Sequence, residues 1–222
     1  MGTNYTISII NQTNKRVDTQ LLQNQVDSLL IEVNNIFSHY IDSSEISSIN
    51  RHLSTRTINI SPEMAELIGI SIMMNELSDG KFDITIKPLV DIWGFGEEFK
   101  ISQIPSVDLI NKTQEHVGSK KLVLKNNTLK KLNNLIQVDL DAIAKGWGVD
   151  KVAEFINKKG FNRYMVEIGG EISVSGKNQY NNNWAIGIPI PEYLQSELYT
   201  TINLLNQSVA TSGSYNNYFN FE

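Results

Sequence analysis

The residues best suited to chemistry lie in two short segments. The first is Val138 to Asp150, VDLDAIAKGWGVD, where a strand-like run gives way to a helix and two carboxylates, Asp139 and Asp141, stand at the first turn. A helix start exposes N–H groups without intrahelical partners and carries the positive end of the dipole. A phosphate, or a phosphate bridged by a metal ion, is therefore well placed there. Lys145, one turn on, can reach an anion over the same end. Either Asp can equally be a simple N-cap, and Lys145 a solvated surface lysine. The second segment is Gly80 to Gly96, GKFDITIKPLVDIWGFG, which combines Asp83, a proline and an aromatic cluster. It reads as a loop and strand buried by Phe82, Ile84, Trp93 and Phe95, or as a place where a planar ligand stacks.

Two more segments carry weaker signals. Gly169-Gly170 follows a strand-like run and allows either close backbone approach to a ligand or a tight turn. It completes neither a GxGxxG nor a P-loop pattern. Ala210 to Tyr218, ATSGSYNNY, is dense in hydroxyls and amides, as solvated loops are. His39, His52 and His116 are scattered in polar contexts without metal-ligand spacing and read as surface residues.

The elements that must position these groups follow from punctuation and periodicity. Thr3 to Ile10 alternates as a short strand. From Asp18 as N-cap, Leu22, Val26, Leu29, Leu30, Val33, Ile36, Phe37 and Tyr40 recur at helical spacing. Ser61 as N-cap and Pro62 at the first helical position open a second helix that Gly80 stops, with Leu67, Ile68, Ser71, Ile72 and Leu77 inward. A short helix is expected from Ser106 to His116, ending at Gly118. Leu122 to Leu124, Thr128 to Leu132 and Leu135 to Leu140 read as strands, the first pair joined at Asn126-Asn127. A helix beginning near Ala142 turns Ala142, Val149, Val152, Ala153 and Ile156 inward and ends at Gly160. Tyr164 to Ile168, Glu171 to Ser175 and Trp184 to Ile188 are further strands. Helices followed by strands around one more helix argue for an α+β fold with mainly antiparallel sheet.

Composition narrows the function classes. The chain has 222 residues, 41% apolar and 19% charged, enough for one sizeable core or two smaller ones sharing a boundary. Its 19 basic and 24 acidic side chains are dispersed, so no basic cluster tracks a nucleic-acid backbone. The absence of cysteine removes disulfides, thiolate metal sites and a Cys nucleophile. No apolar run is long enough for a membrane-spanning helix, and the first residues lack the layout of a secretory signal.

In combination and order the segments resemble one family, the FAD:protein FMN transferases (ApbE family). The matching elements are Met1-Gly2-Thr3, Tyr40, Ser47 to Asn50, Gly80 to Gly96, Asp139 to Asp150, Val166 to Ile172 and Thr211 to Tyr215. The resemblance implies one ApbE-like (T-fold-like) domain over residues 1–222. It also implies an Mg²⁺-dependent enzyme that splits the pyrophosphate of FAD, joins FMN to a Ser or Thr hydroxyl of a partner flavoprotein, and releases AMP. On the matching positions, Met1, Tyr40, Lys81, Phe82, Asp83, Asp139 and Lys145 are expected to contact FAD. The carbonyl of Ala142 is expected to ligate the metal, and Asn50 to tune bare hydrolysis against retention of the nucleotide. Periplasmic residence, with a lipid anchor on an N-terminal cysteine that this sequence does not contain, is implied in the same way.

Family members continue past T-S-G-x-Y into a segment with a histidine and then an Asp and Thr that bind metal. This sequence stops at Glu222, so the domain is expected to be C-terminally incomplete, to bind Mg²⁺ poorly and to transfer slowly. The competing expectations are an FAD-binding or FAD pyrophosphatase protein without transferase activity, and an inactive truncated fragment whose exposed sheet edges favour pairing as a homodimer.

Overall fold

The computed structural model describes residues 2–12, 16–96, 104–190 and 198–213. The elements run β1 (Tyr5–Ile9), α1 (Thr19–Phe37), α2 (Glu45–Arg51), β2 (Ile58–Asn59), α3 (Pro62–Leu77), α4 (Lys87–Ile92), α5 (Val107–Gln114), β3 (Leu122–Lys125), β4 (Thr128–Lys131) and α6 (Asp141–Lys158). Then come β5 (Tyr164–Ile168), β6 (Glu171–Ser175), β7 (Trp184–Pro189), β8 (Leu198–Leu204) and β9 (Gln207–Val209). All pairings among the described strands are antiparallel, so the α+β expectation holds. The chain gathers into two compact units, Leu30–Ala144 and Met1–Leu29 with Lys145–Glu222.

In unit Leu30–Ala144, three helices start on serine. Ser44, Ser61 and Ser106 stand in extended conformation and accept the N–H groups of Ser47, Met64 and Leu109. Each such cap satisfies an orphan donor and contributes about 1 kcal/mol. Pro62 opens α3 where no N–H is needed, and Gly80, at φ +80, turns the chain away and donates to Asn75 O at 2.8 Å. Helix α3 buries Met64, Leu67 and Ile68 and lies against β3 of a sheet ordered β2-β4-β3. Asn126, at φ 50, makes the turn between β3 and β4.

In the other unit Asp18 caps α1, its Oδ1 accepting the Leu21 N–H at 2.9 Å. A four-stranded sheet is ordered β1-β5-β6-β9. Tyr164, Val166 and Ile168 alternate into the core from β5, the period of a half-buried strand. Val149, Val152, Ala153 and Ile156 are buried on α6 at three- and four-residue spacing, and Gly160, at φ +92, ends the turn that follows. The hairpin β7-β8 forms a separate pair whose Trp184 and Leu204 bury against Val174 of β6.

Several expectations need correction. Leu135 to Leu140 alternates like a strand but has no strand partner among the described residues. Its polar backbone groups are taken instead by side chains and a loop carbonyl, described below. The expected strand inside Gly80 to Gly96 is helix α4, with Pro88 in its first turn. Leu77 is 74% exposed, because it falls at the end of α3 where no element covers it. Tyr40 lies beyond the end of α1 and Ala142 is exposed, so neither belongs to an inward stripe.

Candidate functional site

Residues 136–140 are irregular yet held at three points in unit Leu30–Ala144. Lys131 is fully buried and donates from Nζ to the carbonyls of Ile49 and Ile136, each at 3.1 Å. Burial without a carboxylate partner pushes its pKa down. Asn50, near the end of α2, uses its amide as a surrogate strand. Nδ2 donates to Val138 O at 2.8 Å, and Oδ1 accepts the Val138 N–H at 2.7 Å. Asp139 N–H then donates to Ile84 O at 2.7 Å. The segment therefore enters α6 in one fixed direction.

Asp139 Oδ1 accepts the N–H of Asp141, the first residue of α6, at 2.9 Å. The capping reading is thus correct for one of its oxygens. Beside it the fold places a residue that sequence reasoning assigned to the surface. His39 is only 7% exposed, because the chain turns back immediately after α1. Its Nδ1 stands 3.4 Å from Asp141 Oδ1, within ion-pair reach but without hydrogen-bond geometry, so this buried nitrogen has no hydrogen-bond partner. Leaving such a group unpaired costs about 1–3 kcal/mol. One ligand atom from each of His39, Asp139 and Asp141 lies within 4.8 Å of the others. The exposed Tyr40 ring packs on the His39 ring, centroids 4.2 Å apart and tilted 33°. About a hundred residues separate His39 from the two aspartates, so only the tertiary fold reveals the cluster.

Asp83, in the other long motif, is used differently. Its Oδ1 accepts from Thr85 N (2.8 Å), Thr85 Oγ1 (2.6 Å) and Ser119 Oγ (2.7 Å), and its Oδ2 from Ser119 N (2.9 Å). Burial raises the carboxyl pKa, but these hydrogen bonds outweigh it and hold the group below the ordinary carboxylate range. Thr85 Oγ1 in turn accepts from Gly118 N at 2.6 Å. Phe82 is held through its backbone, donating to Ser78 Oγ at 2.9 Å and accepting from Asn75 Nδ2 at 2.6 Å. Lys81 is exposed in the turn before it, and Trp93 and Phe95 remain partly accessible.

In the unit formed by Met1–Leu29 and Lys145–Glu222, Gly169 and Gly170 turn at φ +59 and +99. A Cβ on Gly169 would come within 2.8 Å of Thr3 Cγ2, and one on Gly170 within 2.6 Å of Thr211 Oγ1. Three short motifs distant in sequence therefore meet at one end of the four-stranded sheet. Lys145 pairs with Glu171 next to this turn, Nζ to Oε1 at 3.0 Å, rather than standing as a solvated lysine. Ala142 is the second residue of α6, and its carbonyl belongs to the helical ladder while retaining a second lone pair. Met1 and Tyr215 lie outside the described residues.

An α+β chain of antiparallel sheets, with carboxylates gathered at a buried-histidine helix start, is the class that fold and site define. The chain belongs to the ApbE family, which it matches over residues 1–222. It is similar to the FAD:protein FMN transferase of Vibrio cholerae, 39% identical over 219 residues, covering 99% of this chain and 65% of that protein. It is also similar to the FAD:protein FMN transferase of Haemophilus influenzae, 35% identical over 225 residues, covering 99% of this chain and 65% of that protein. The solved flavin transferase ApbE from Vibrio cholerae superposes with a TM-score of 0.89 at 39% identity, over 97% of this chain and 69% of that one. The chain thus spans 65% of the length of these curated relatives.

Proposed function

We propose that the chain acts in flavin transfer from FAD to a Ser or Thr hydroxyl of a partner flavoprotein. In this reaction the hydroxyl oxygen forms a bond to the phosphorus on the riboflavin side. The bridging P–O bond breaks, its electron pair leaves with AMP, and the hydroxyl proton passes to water. The observation that carries the reading is the start of α6, where Asp139 caps the first helical N–H, one ligand atom from each of Asp139, Asp141 and the buried His39 lies within 4.8 Å of the others, and Ala142 is the second helical residue. The Ala142 carbonyl is a hard oxygen donor of the kind Mg²⁺ accepts and is the protein group that would hold it beside the pyrophosphate oxygens, with Asp139 contacting the nucleotide. When bound, the ion supplies neutralisation of pyrophosphate charge. Asn50 acts as a positioning residue, since both ends of its amide are engaged by Val138. Lys145, which pairs with Glu171 in its own unit, is taken as a contact to FAD.

Incubation with FAD, Mg²⁺ and an acceptor flavoprotein tests the reading. AMP released in step with flavin bound covalently to the acceptor supports transfer. AMP with free FMN moves the assignment to FAD pyrophosphatase, and intact bound FAD moves it to nucleotide retention.

A further inference from the structure

We propose that His39, Asp139 and Asp141 form a site for one divalent transition-metal ion of the Zn²⁺ class, independently of flavin transfer. Two carboxylates at a helix start do not by themselves make a metal site. The deciding observation is His39, which is 7% exposed and whose Nδ1 faces the cluster without a hydrogen-bond partner. The three ligand atoms lie within 4.8 Å of one another, and His39 Nδ1 is already 3.4 Å from Asp141 Oδ1. Donors each about 2.1 Å from a shared ion stand roughly 3–4 Å apart, so only a small contraction is required. The Asp141 side chain, 55% exposed, can supply that movement.

The donor chemistry selects the ion. An imidazole nitrogen is a borderline ligand that favours Zn²⁺ or Co²⁺ over Mg²⁺, which prefers oxygen ligands and keeps several of its waters. Two carboxylates balance the double charge, offsetting the unfavourable field of the helix start. Asp139 Oδ1 already accepts the Asp141 N–H, which orients the carboxylate while its second oxygen ligates. Three protein ligands leave a coordination position for water or a phosphate oxygen.

Isothermal titration of the metal-free protein with Zn²⁺, with no flavin present, tests the site, and Co²⁺ absorption reports its coordination. We expect one stoichiometric site, at least about tenfold weaker in both His39→Gln and Asp141→Asn, and retained at millimolar Mg²⁺. Asp141 is exposed, so Asp141→Asn remains informative where His39→Gln disturbs packing. Absence of a stoichiometric site, equal affinity in the Asp141→Asn variant, or displacement by millimolar Mg²⁺ would overturn the proposal.

Discussion

Asp83 and Asp139 stand in the two longest motifs of the chain, within the same compact unit, and their carboxylates are engaged to very different degrees. Asp83 is saturated by Thr85 and Ser119 and binds a loop to the segment after α5. Asp139 spends one oxygen on the start of α6 and stands beside a buried nitrogen with no hydrogen-bond partner. A carboxylate whose acceptor sites are filled by the protein maintains architecture. One left with spare capacity near an unsatisfied group is available for ligands.

The largest effect is expected at Asp83. Replacing it with Ala strips the partners of two backbone N–H groups and two hydroxyls, and should cost about 3 kcal/mol or more in urea unfolding. If Asp83→Ala costs no more than Asp139→Ala, the contrast fails. Asn50→Ala comes next. It leaves both Val138 backbone groups unpaired and should cost about 1–3 kcal/mol, while also loosening Asp139 and weakening nucleotide binding. Asp139→Ala removes one cap and should cost only about 1 kcal/mol of stability, its main effect falling on ligand binding.

Acid and alkaline titrations read the two kinds of buried group separately. Because the folded Asp83 pKa is depressed, its stabilisation is present above the ordinary carboxylate pKa and is lost as pH falls through the folded value. Asp83→Asn should therefore flatten the acid limb of the unfolding profile. The smallest effect is expected from Tyr5 in the other unit. Burial, then its 2.6 Å hydrogen bond to Asp27, raises its pKa from 10.0 to about 12. Its contribution is complete below the unfolded value and fades as pH rises through the folded one, a window that ultraviolet titration of Tyr5→Phe against the parent can isolate.

The helix starts were legible because caps act over three residues: Asp18, Ser61 and Ser106 each accept the N–H that local spacing predicts. The α+β class followed from element order. Leu135 to Leu140 reads as a strand because period-two alternation reports an extended backbone, not the source of its hydrogen bonds, which here are Asn50, Ile84 and the turn at Asn133. Helix α4 escaped notice because six residues carry too little periodicity. His39 was missed for a different reason. Its burial depends on how the chain folds after α1, and its neighbours lie far along the sequence.

Nucleotide chemistry is proposed to centre on the start of α6. Flavin-fluorescence titration of FAD against Asp139→Ala, in saturating Mg²⁺ and on protein whose unfolding midpoint stays near that of the parent, tests it most directly. Affinity should fall at least about tenfold, equivalent to about 1.4 kcal/mol. Parental affinity together with parental AMP release would place the nucleotide elsewhere.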